Sequence, residues 1–255
     1  MALKVQARTF KYLIAAAGIL GFALRSVLYS TGIDEKGLLV TGHWADSGCF
    51  LLTAAVAAVL FLWCRERTGV VRYTDAFPPS VLRAAGSAAA GFAILFSSNP
   101  MIPSPVFAVT EPVLRLVAAA SLLFVGFCRL TGKKPLFLLH SCVCLYLGLR
   151  LIGQYRIWSV DPQMQNYCFY LGAHICLILA CYQLTTFDAD FGNHRKLWGI
   201  GLAAVYLSIL SLANCEEPLF LLGCSFWIWT SLSNLTPPHR PKYAAPHHTD
   251  QEDSL

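Results

Sequence analysis

Long apolar runs constrain the fold of this chain more than any other feature of its sequence. A helix needs about 20 consecutive apolar residues to cross roughly 30 Å of hydrocarbon. Runs of about this length, bounded by charges or by Gly and Pro, lie at residues 10–29, 44–64, 80–98, 108–130, 135–155, 163–187, 197–213 and 218–235. The third is rich in Ala and Gly, and the seventh is short. The sequence therefore predicts an all-α, polytopic integral membrane protein with about eight transmembrane helices.

The composition agrees with a membrane domain. Of the 255 residues, 56% are hydrophobic and 13% are charged, whereas a soluble domain carries about 25% charge. This balance excludes an ordinary globular enzyme, and the abundance of apolar side chains excludes a disordered chain. We expect residues 1–235 to form a single transmembrane domain. We expect the polar, Pro-interrupted residues 236–255 to form a disordered cytoplasmic tail.

The distribution of Lys and Arg predicts the orientation. Of the 19 Lys and Arg residues, only Arg25, Lys36, Arg115, Arg150 and Arg156 fall on one side of eight alternating spans. Cytoplasmic loops hold the excess of positive charge, so both termini are predicted to be cytoplasmic. The short loops favour a bacterial-type cytoplasmic membrane. The net charge of +5 follows from the same pattern, so the predicted partner is a lipid bilayer and not a nucleic acid.

Similar short motifs recur in the same order in the two halves of the chain. The motif of a small residue followed by Leu and Arg occurs at residues 23–25 and again at residues 148–150, where it places Arg25 and Arg150. A Glu-Pro pair begins at Glu111 and again at Glu217. Transporter folds often contain such internal repeats. The pattern predicts a duplication.

Each predicted half contains four spans, so each half starts and ends on the same side of the membrane. The repeat is then parallel, with its axis along the membrane normal. The predicted halves are residues 10–130 and 135–235.

Charged residues inside the spans are the candidate functional groups. A charge in hydrocarbon costs a few kcal/mol even on lenient scales, so these residues need partners, a polar cavity or access to the interface. The acidic residues predicted at the same level are Asp46, Glu111, Asp161 and Glu217. The candidate substrate or ion site comprises Arg25, Glu111, Arg115, Arg150 and Glu217.

Two interpretations of this site stay open. In the first, each Glu-Pro pair begins a helix, with Pro at its first position and the acid at the positive end of the helix dipole. The arginines then hold helix ends together. In the second, the charges line a water-filled cleft in which Arg binds an anionic group and Glu carries a proton or a cation. Arg115 follows Glu111 by one helical turn and is placed to pair with it.

Three function classes follow. The first is a small carrier or transport component for a small, anionic solute. The second is a non-enzymatic membrane sensor or assembly subunit, whose partner is another membrane protein or a second copy of the chain. The third, an intramembrane enzyme, requires a cluster such as His174 with Cys176, and no catalytic motif accompanies them. His140 and His174 lack paired ligand spacing, so neither a metal nor a cofactor is predicted.

Overall fold

The computed structural model describes residues 2–34, 39–40, 42–65, 70–98, 105–160 and 164–235. In these ranges nine α-helices follow one another: α1 (Ala2–Thr31), α2 (Trp44–Arg65), α3 (Tyr73–Ala76), α4 (Val81–Leu95), α5 (Pro105–Thr131), α6 (Phe137–Trp158), α7 (Cys168–Asp188), α8 (His194–Ser211) and α9 (Pro218–Ser233). Short 3-10 turns precede α7 and follow α8. One antiparallel pair joins β1 (Val70–Val71) to β2 (Gly192–Asn193). The predicted tail, 236–255, lies outside the described residues.

Every predicted apolar run contains a helix, which confirms an all-α membrane protein. Six helical segments are long and apolar enough to cross a membrane. They are formed by α1, α2, α5, α6, α7 and α8. The other two apolar helices, α4 and α9, have 15 and 16 residues. At 1.5 Å per residue they are about 22 to 24 Å long.

The expectation of a short seventh span is wrong, because α8 includes polar residues that a hydropathy criterion leaves out. Asn193 caps this helix: its side chain accepts a hydrogen bond from the Lys196 backbone N–H at 3.2 Å. The cap starts the helix at His194, ahead of the apolar run. With the following 3-10 turn, the segment His194–Asn214 has 21 residues.

Helix α8 connects two parts of the bundle. Helices α4, α5, α6, α7 and α9 contact one another in sequence around a closed ring. Helix α8 packs on both α7 and α9, and α1 and α2 in turn pack on α8. The short helices α4 and α9 are therefore ring members, and protein surrounds much of their surface, so they do not need the full length of a lipid-exposed span.

The two halves of the chain differ in their helix contacts. Helix α7 packs on α6, α8 and α9, whereas α2, its counterpart in the predicted repeat, packs on α1 and α8. The duplication of 10–130 as 135–235 stays a prediction, and superposition of the halves is its direct test.

The two Glu-Pro pairs also differ in their local structure. Pro218 is the first residue of α9 and Glu217 is its N-cap, as expected for an acid at a helix start. Helix α5, however, begins at Pro105, so Pro112 lies inside it. The expectation that Glu111-Pro112 begins a helix is therefore wrong. The added residues 105–111 extend the helix, and Pro112 removes one backbone hydrogen bond near its beginning.

Small residues allow α4 and α9 to approach closely. A Cβ atom added to Gly223 would lie 2.3 Å from the Ala93 Cβ and 3.2 Å from the Ala89 carbonyl oxygen. Neither neighbour is a flexible side chain that could move aside. A Cβ atom added to Gly148, on α6, would meet nothing within 4 Å.

We expect Gly223→Ala to destabilise the protein by about 1 to 3 kcal/mol, because the added methyl group overpacks the contact. The matched variant Gly148→Ala should leave stability unchanged or raise it by about 0.5 to 1 kcal/mol, since Ala is the better helix former. Thermal unfolding of both variants in the same detergent measures the difference. Equal midpoints would show that α4 and α9 do not meet closely at Gly223.

Candidate functional site

Two clusters of buried and half-buried polar residues lie at opposite ends of the five-helix ring. The Arg150 cluster contains Ser97, Glu111, Arg115, Tyr146, Arg150 and Glu217. The Arg129 cluster contains Arg83, Ser87, Arg129, His140, Asp188 and Ser231. Along individual helices the two clusters are roughly 15 to 27 Å apart at 1.5 Å per residue. This separation approaches the thickness of the hydrocarbon core, about 30 Å.

Arg150 is the centre of the first cluster and has a relative exposure of 0%. Its Nη2 forms an ion pair with the Glu217 carboxylate ahead of α9. Its Nη1 donates to the Tyr146 hydroxyl at 3.0 Å, to the Ser97 hydroxyl at 3.2 Å and to the Ser98 carbonyl at 3.3 Å. The side chain therefore joins α6 to α9 and to the carbonyl end of α4.

Glu111 and Arg115 lie beside this ion pair but do not form the predicted pair with each other. Arg115 Nη1 donates instead to the Ser97 carbonyl at 2.6 Å. Glu111 is only 3% exposed, and neither of its carboxylate oxygens has a hydrogen-bond partner. Arg115 and Arg150 are nonetheless the cations that act on it electrostatically. With Glu217, the cluster contains two guanidinium and two carboxyl groups.

Arg25 occupies a separate polar group. Its Nη2 donates to the Tyr29 hydroxyl at 3.0 Å and to the Asn166 carbonyl. Its guanidinium carbon lies 4.8 Å from the centroid of the Phe169 ring. The Tyr29 hydroxyl also accepts a hydrogen bond from the Asn214 side chain at 2.8 Å. The structure thus brings together four of the five candidate site residues and leaves Arg25 between α1 and the start of α7.

The two other predicted counter-charges do not complete the site. Asp46 lies in the first turn of α2, where a carboxylate is stabilised by the helix dipole, and it forms no ion pair with a described residue. Asp161 lies outside the described residues.

His174 packs against the apolar side of the Arg150 cluster. Its Nδ1–H donates to the Tyr170 carbonyl at 3.1 Å, and its ring stacks on Phe220 at 5.4 Å. The Arg150 guanidinium covers the same Phe220 ring at 4.4 Å. Cys176 is two residues further along the helix and so faces a different direction. Within the described ranges, no three His, Cys, Asp or Glu side chains group closely enough to hold a metal ion.

The second cluster contains two arginines with little exposure. Arg129 is 2% exposed, and its Nη1 donates to the Ser87 hydroxyl at 2.6 Å and to the Ser231 hydroxyl at 3.3 Å. Arg83 is 1% exposed, and its guanidinium carbon lies 3.7 Å from the Phe77 ring centroid. The Nε and Nη2 atoms of both arginines have no hydrogen-bond partner, whereas the Tyr73 hydroxyl lies beside both guanidinium groups.

One carboxylate faces both arginines. Asp188 acts electrostatically on Arg83 and on Arg129, and it also forms an ion pair with His140. The side chains of this pair are 0% and 2% exposed, and the imidazole stacks on Trp227 at 5.7 Å. Among the described residues, these two guanidinium groups share the single carboxylate of Asp188, so the three groups have one excess positive charge.

A short segment covers this end of the ring. We call residues 70–77, which comprise β1 and α3, the strap. The Tyr73 backbone N–H donates to Asp190 Oδ1 at 3.0 Å, and Lys134 forms an ion pair with Asp190. These two contacts hold the pKa of the Asp190 carboxyl below its ordinary value. The strap is thereby attached to the turn between α7 and α8 and lies over Arg83.

Sequence reasoning missed the Arg129 cluster although a signal was present. Arg83 lies inside the predicted run 80–98 and Arg129 inside the run 108–130. Both belong to the Lys and Arg residues that the charge distribution assigns to the cytoplasmic side. The spacing of Arg83 and Ser87 places them on the same helix face, which indicates a buried polar stripe.

Comparison with protein-family models, curated proteins and solved structures found no significant match.

We expect a strong energetic coupling between Arg150 and Glu217. Breaking a buried ion pair from one side costs about 3 to 5 kcal/mol, because the remaining charge loses its partner. Arg150→Met and Glu217→Gln should therefore be non-additive, with an interaction energy of at least about 1 kcal/mol. Unfolding of the single and double variants in detergent measures this energy.

The matched cycle pairs Arg25→Met with Glu217→Gln. Its members do not contact each other, so their effects should add within about 0.5 kcal/mol. Additivity in both cycles would mean that the Arg150–Glu217 ion pair contributes nothing specific.

Proposed function

We propose that this multi-pass membrane protein carries a small anion across the membrane and recognises it at the Arg150 cluster. The observation that supports this proposal is the Glu111 carboxyl, which is buried without a hydrogen-bond donor beside two arginines. Desolvation of an unpartnered carboxylate is expensive. If Glu111 takes up a proton when an anion with one negative charge binds, the two added charges cancel and the cluster keeps no net charge.

The charge balance suggests how the site works. With both carboxylates ionised, the two arginines and two glutamates cancel. When Glu111 takes up a proton, the cluster has one excess positive charge and accommodates an anion with one negative charge. Arg115 and Arg150 then exchange their contacts with the Ser97 carbonyl and hydroxyl for contacts with the anion, since these neutral acceptors are weaker partners than an ionised one.

The proposal also includes an orientation. We place the Arg150 end at the outer face and the Arg129 end at the cytoplasmic face of a bacterial-type cytoplasmic membrane, with both termini in the cytoplasm. The excess of Lys and Arg on the Arg129 side supports this assignment. Alternating access would expose the Arg150 cluster first to one face and then to the other.

A non-enzymatic sensor or assembly subunit is the second candidate. The observation that favours it is the enclosure of Arg150, whose terminal nitrogens already have four acceptors on three structural segments. Such an ion pair is what a purely structural connection between helices requires. Under this alternative the Arg150 cluster never opens to solute, and the exposed surfaces of the protein bind a partner.

Uptake by proteoliposomes tests the carrier. The probes are radiolabelled small monocarboxylates and inorganic anions, with and without an inward proton gradient. We expect wild-type vesicles to accumulate at least one probe when the gradient is present. Glu111→Gln should abolish accumulation but retain exchange of the same probe between the two sides, because it removes the proton site and not the arginines.

The matched control is Glu216→Gln, which removes an exposed carboxylate next to the cluster. It should behave as wild type. Well-folded wild-type protein that takes up no probe above the level of protein-free vesicles would refute the carrier and favour the sensor or assembly subunit.

A further inference from the structure

We infer that the Arg129 cluster is a binding site for a phosphate-type oxyanion, formed by the free edges of Arg83 and Arg129. This site lies at the opposite end of the helix ring from the Arg150 cluster, and it does not depend on the proposed transport. The chemistry is that of a phosphate group, either on a phospholipid headgroup or free in solution.

The donor pattern is the first argument. In each arginine the unpartnered atoms are Nε and Nη2, which form one edge of the guanidinium plane. This edge presents two parallel N–H groups and is the fork that binds carboxylates and phosphates in a bidentate manner. Both side chains are at least nine-tenths buried, so water does not replace the acceptors that they lack.

The proximity of the two forks is the second argument. Arg129 reaches α4 by donating to the Ser87 hydroxyl at 2.6 Å. The same hydroxyl donates to the Arg83 carbonyl at 3.0 Å, and the two guanidinium groups act on each other electrostatically. A carboxylate has two oxygens and matches one fork. A tetrahedral phosphate has enough oxygens to accept from both forks, so it fits this pair better.

Charge is the third argument. Arg83, Arg129 and Asp188 sum to one positive charge, and the pairing of His140 with Asp188 cannot make this sum negative. An uncompensated charge in a medium of low dielectric constant is strongly unfavourable. A phosphodiester has one negative charge and would neutralise the cluster.

The strap provides a route of access. It covers Arg83 through the Phe77 ring, which lies 3.7 Å from the guanidinium carbon. Its attachments to the α7–α8 turn are the two-residue β1–β2 pair and the contacts of Tyr73 and Lys134 with Asp190. The side chains of Tyr73, Ala76 and Phe77 are also buried, and the Phe77 ring packs on Phe187 at 5.1 Å. A ligand therefore reaches the arginines only when the strap, which is not part of the helix ring, moves aside and breaks these contacts.

Ligand binding to lipid-stripped protein in a phosphate-free maltoside detergent tests the inference. One arm titrates inorganic phosphate against chloride at equal ionic strength and follows the thermal unfolding midpoint, since a ligand that binds the folded state stabilises it. The other arm adds phosphatidylglycerol and counts the retained lipid molecules by native mass spectrometry. Saturable stabilisation by phosphate indicates a free anion, whereas retention of one lipid without an effect of phosphate indicates a headgroup. Either result, if it depends on the arginines, supports the site.

The variants are Arg83→Gln and Arg129→Gln, each of which should weaken binding roughly tenfold or more, because charge-assisted hydrogen bonds are lost. Lys133→Gln is the matched control, since it removes an exposed positive charge at the same end and should change affinity less than about twofold. Arg83→Lys keeps the charge but lacks the fork, and it should bind as weakly as Arg83→Gln. Elution as a single monodisperse species in size-exclusion chromatography confirms that each variant is folded.

The inference is overturned if wild-type protein binds neither probe saturably, or if Arg83→Lys binds as tightly as wild type. Glu111→Gln and Arg150→Lys alter only the opposite end and should leave this binding unchanged. Phosphate binding without anion uptake would therefore refute the carrier alone, and uptake without phosphate binding would refute this site alone.

Discussion

The cost of placing guanidinium groups in a medium of low dielectric constant governs the arrangement of the helix ring. Arg150 has no exposure, so its charge must find acceptors within the protein. Glu217 and the end of α4 supply them. Arg150 of α6 thereby fixes the positions of α4 and α9. These two helices are too short to span the bilayer alone, and this contact holds them in the ring.

The short helices in turn determine how closely the ring packs. Because α4 and α9 are about 22 to 24 Å long, their ends fall near the level of the buried charges. Glycines at Gly86 and Gly223 bring the two backbones together, as small residues do in other membrane helix pairs. The carbonyl end of α4 therefore reaches Arg115 and Arg150, while its first turn positions Arg83 beside Arg129. The positions of α4 and α9 thus determine both the close helix packing and the partners of the buried arginines.

Much of the fold could be predicted from the sequence, since apolar runs of membrane-spanning length have few alternatives. The location of each helix except the short α3 follows from such a run. Helix α8 starts earlier than its run because the Asn193 cap adds polar residues, and α5 starts earlier than its run at Pro105. Buried charges were identifiable for Arg25, Arg115 and Arg150, because each interrupts an apolar run. Their partners were not, because the choice of Glu217 for Arg150, or of the Asn166 carbonyl for Arg25, depends on helix rotation and packing. Arg83 and Arg129 were missed because a charge near the end of a run has the same sequence appearance whether it faces water or the protein interior.

One cluster lacks a hydrogen-bond donor and the other lacks acceptors, and this difference distinguishes their proposed roles. The Arg150 cluster is balanced in charge but contains a carboxyl group without a donor. The Arg129 cluster has an excess of positive charge and contains donors without acceptors. A proton neutralises a buried carboxylate that has no donor, whereas an oxyanion supplies acceptors to two guanidinium groups that lack them. The first condition suits a group that gains and loses a small ion during a cycle. The second suits a ligand that stays bound and stabilises one end of the helix ring.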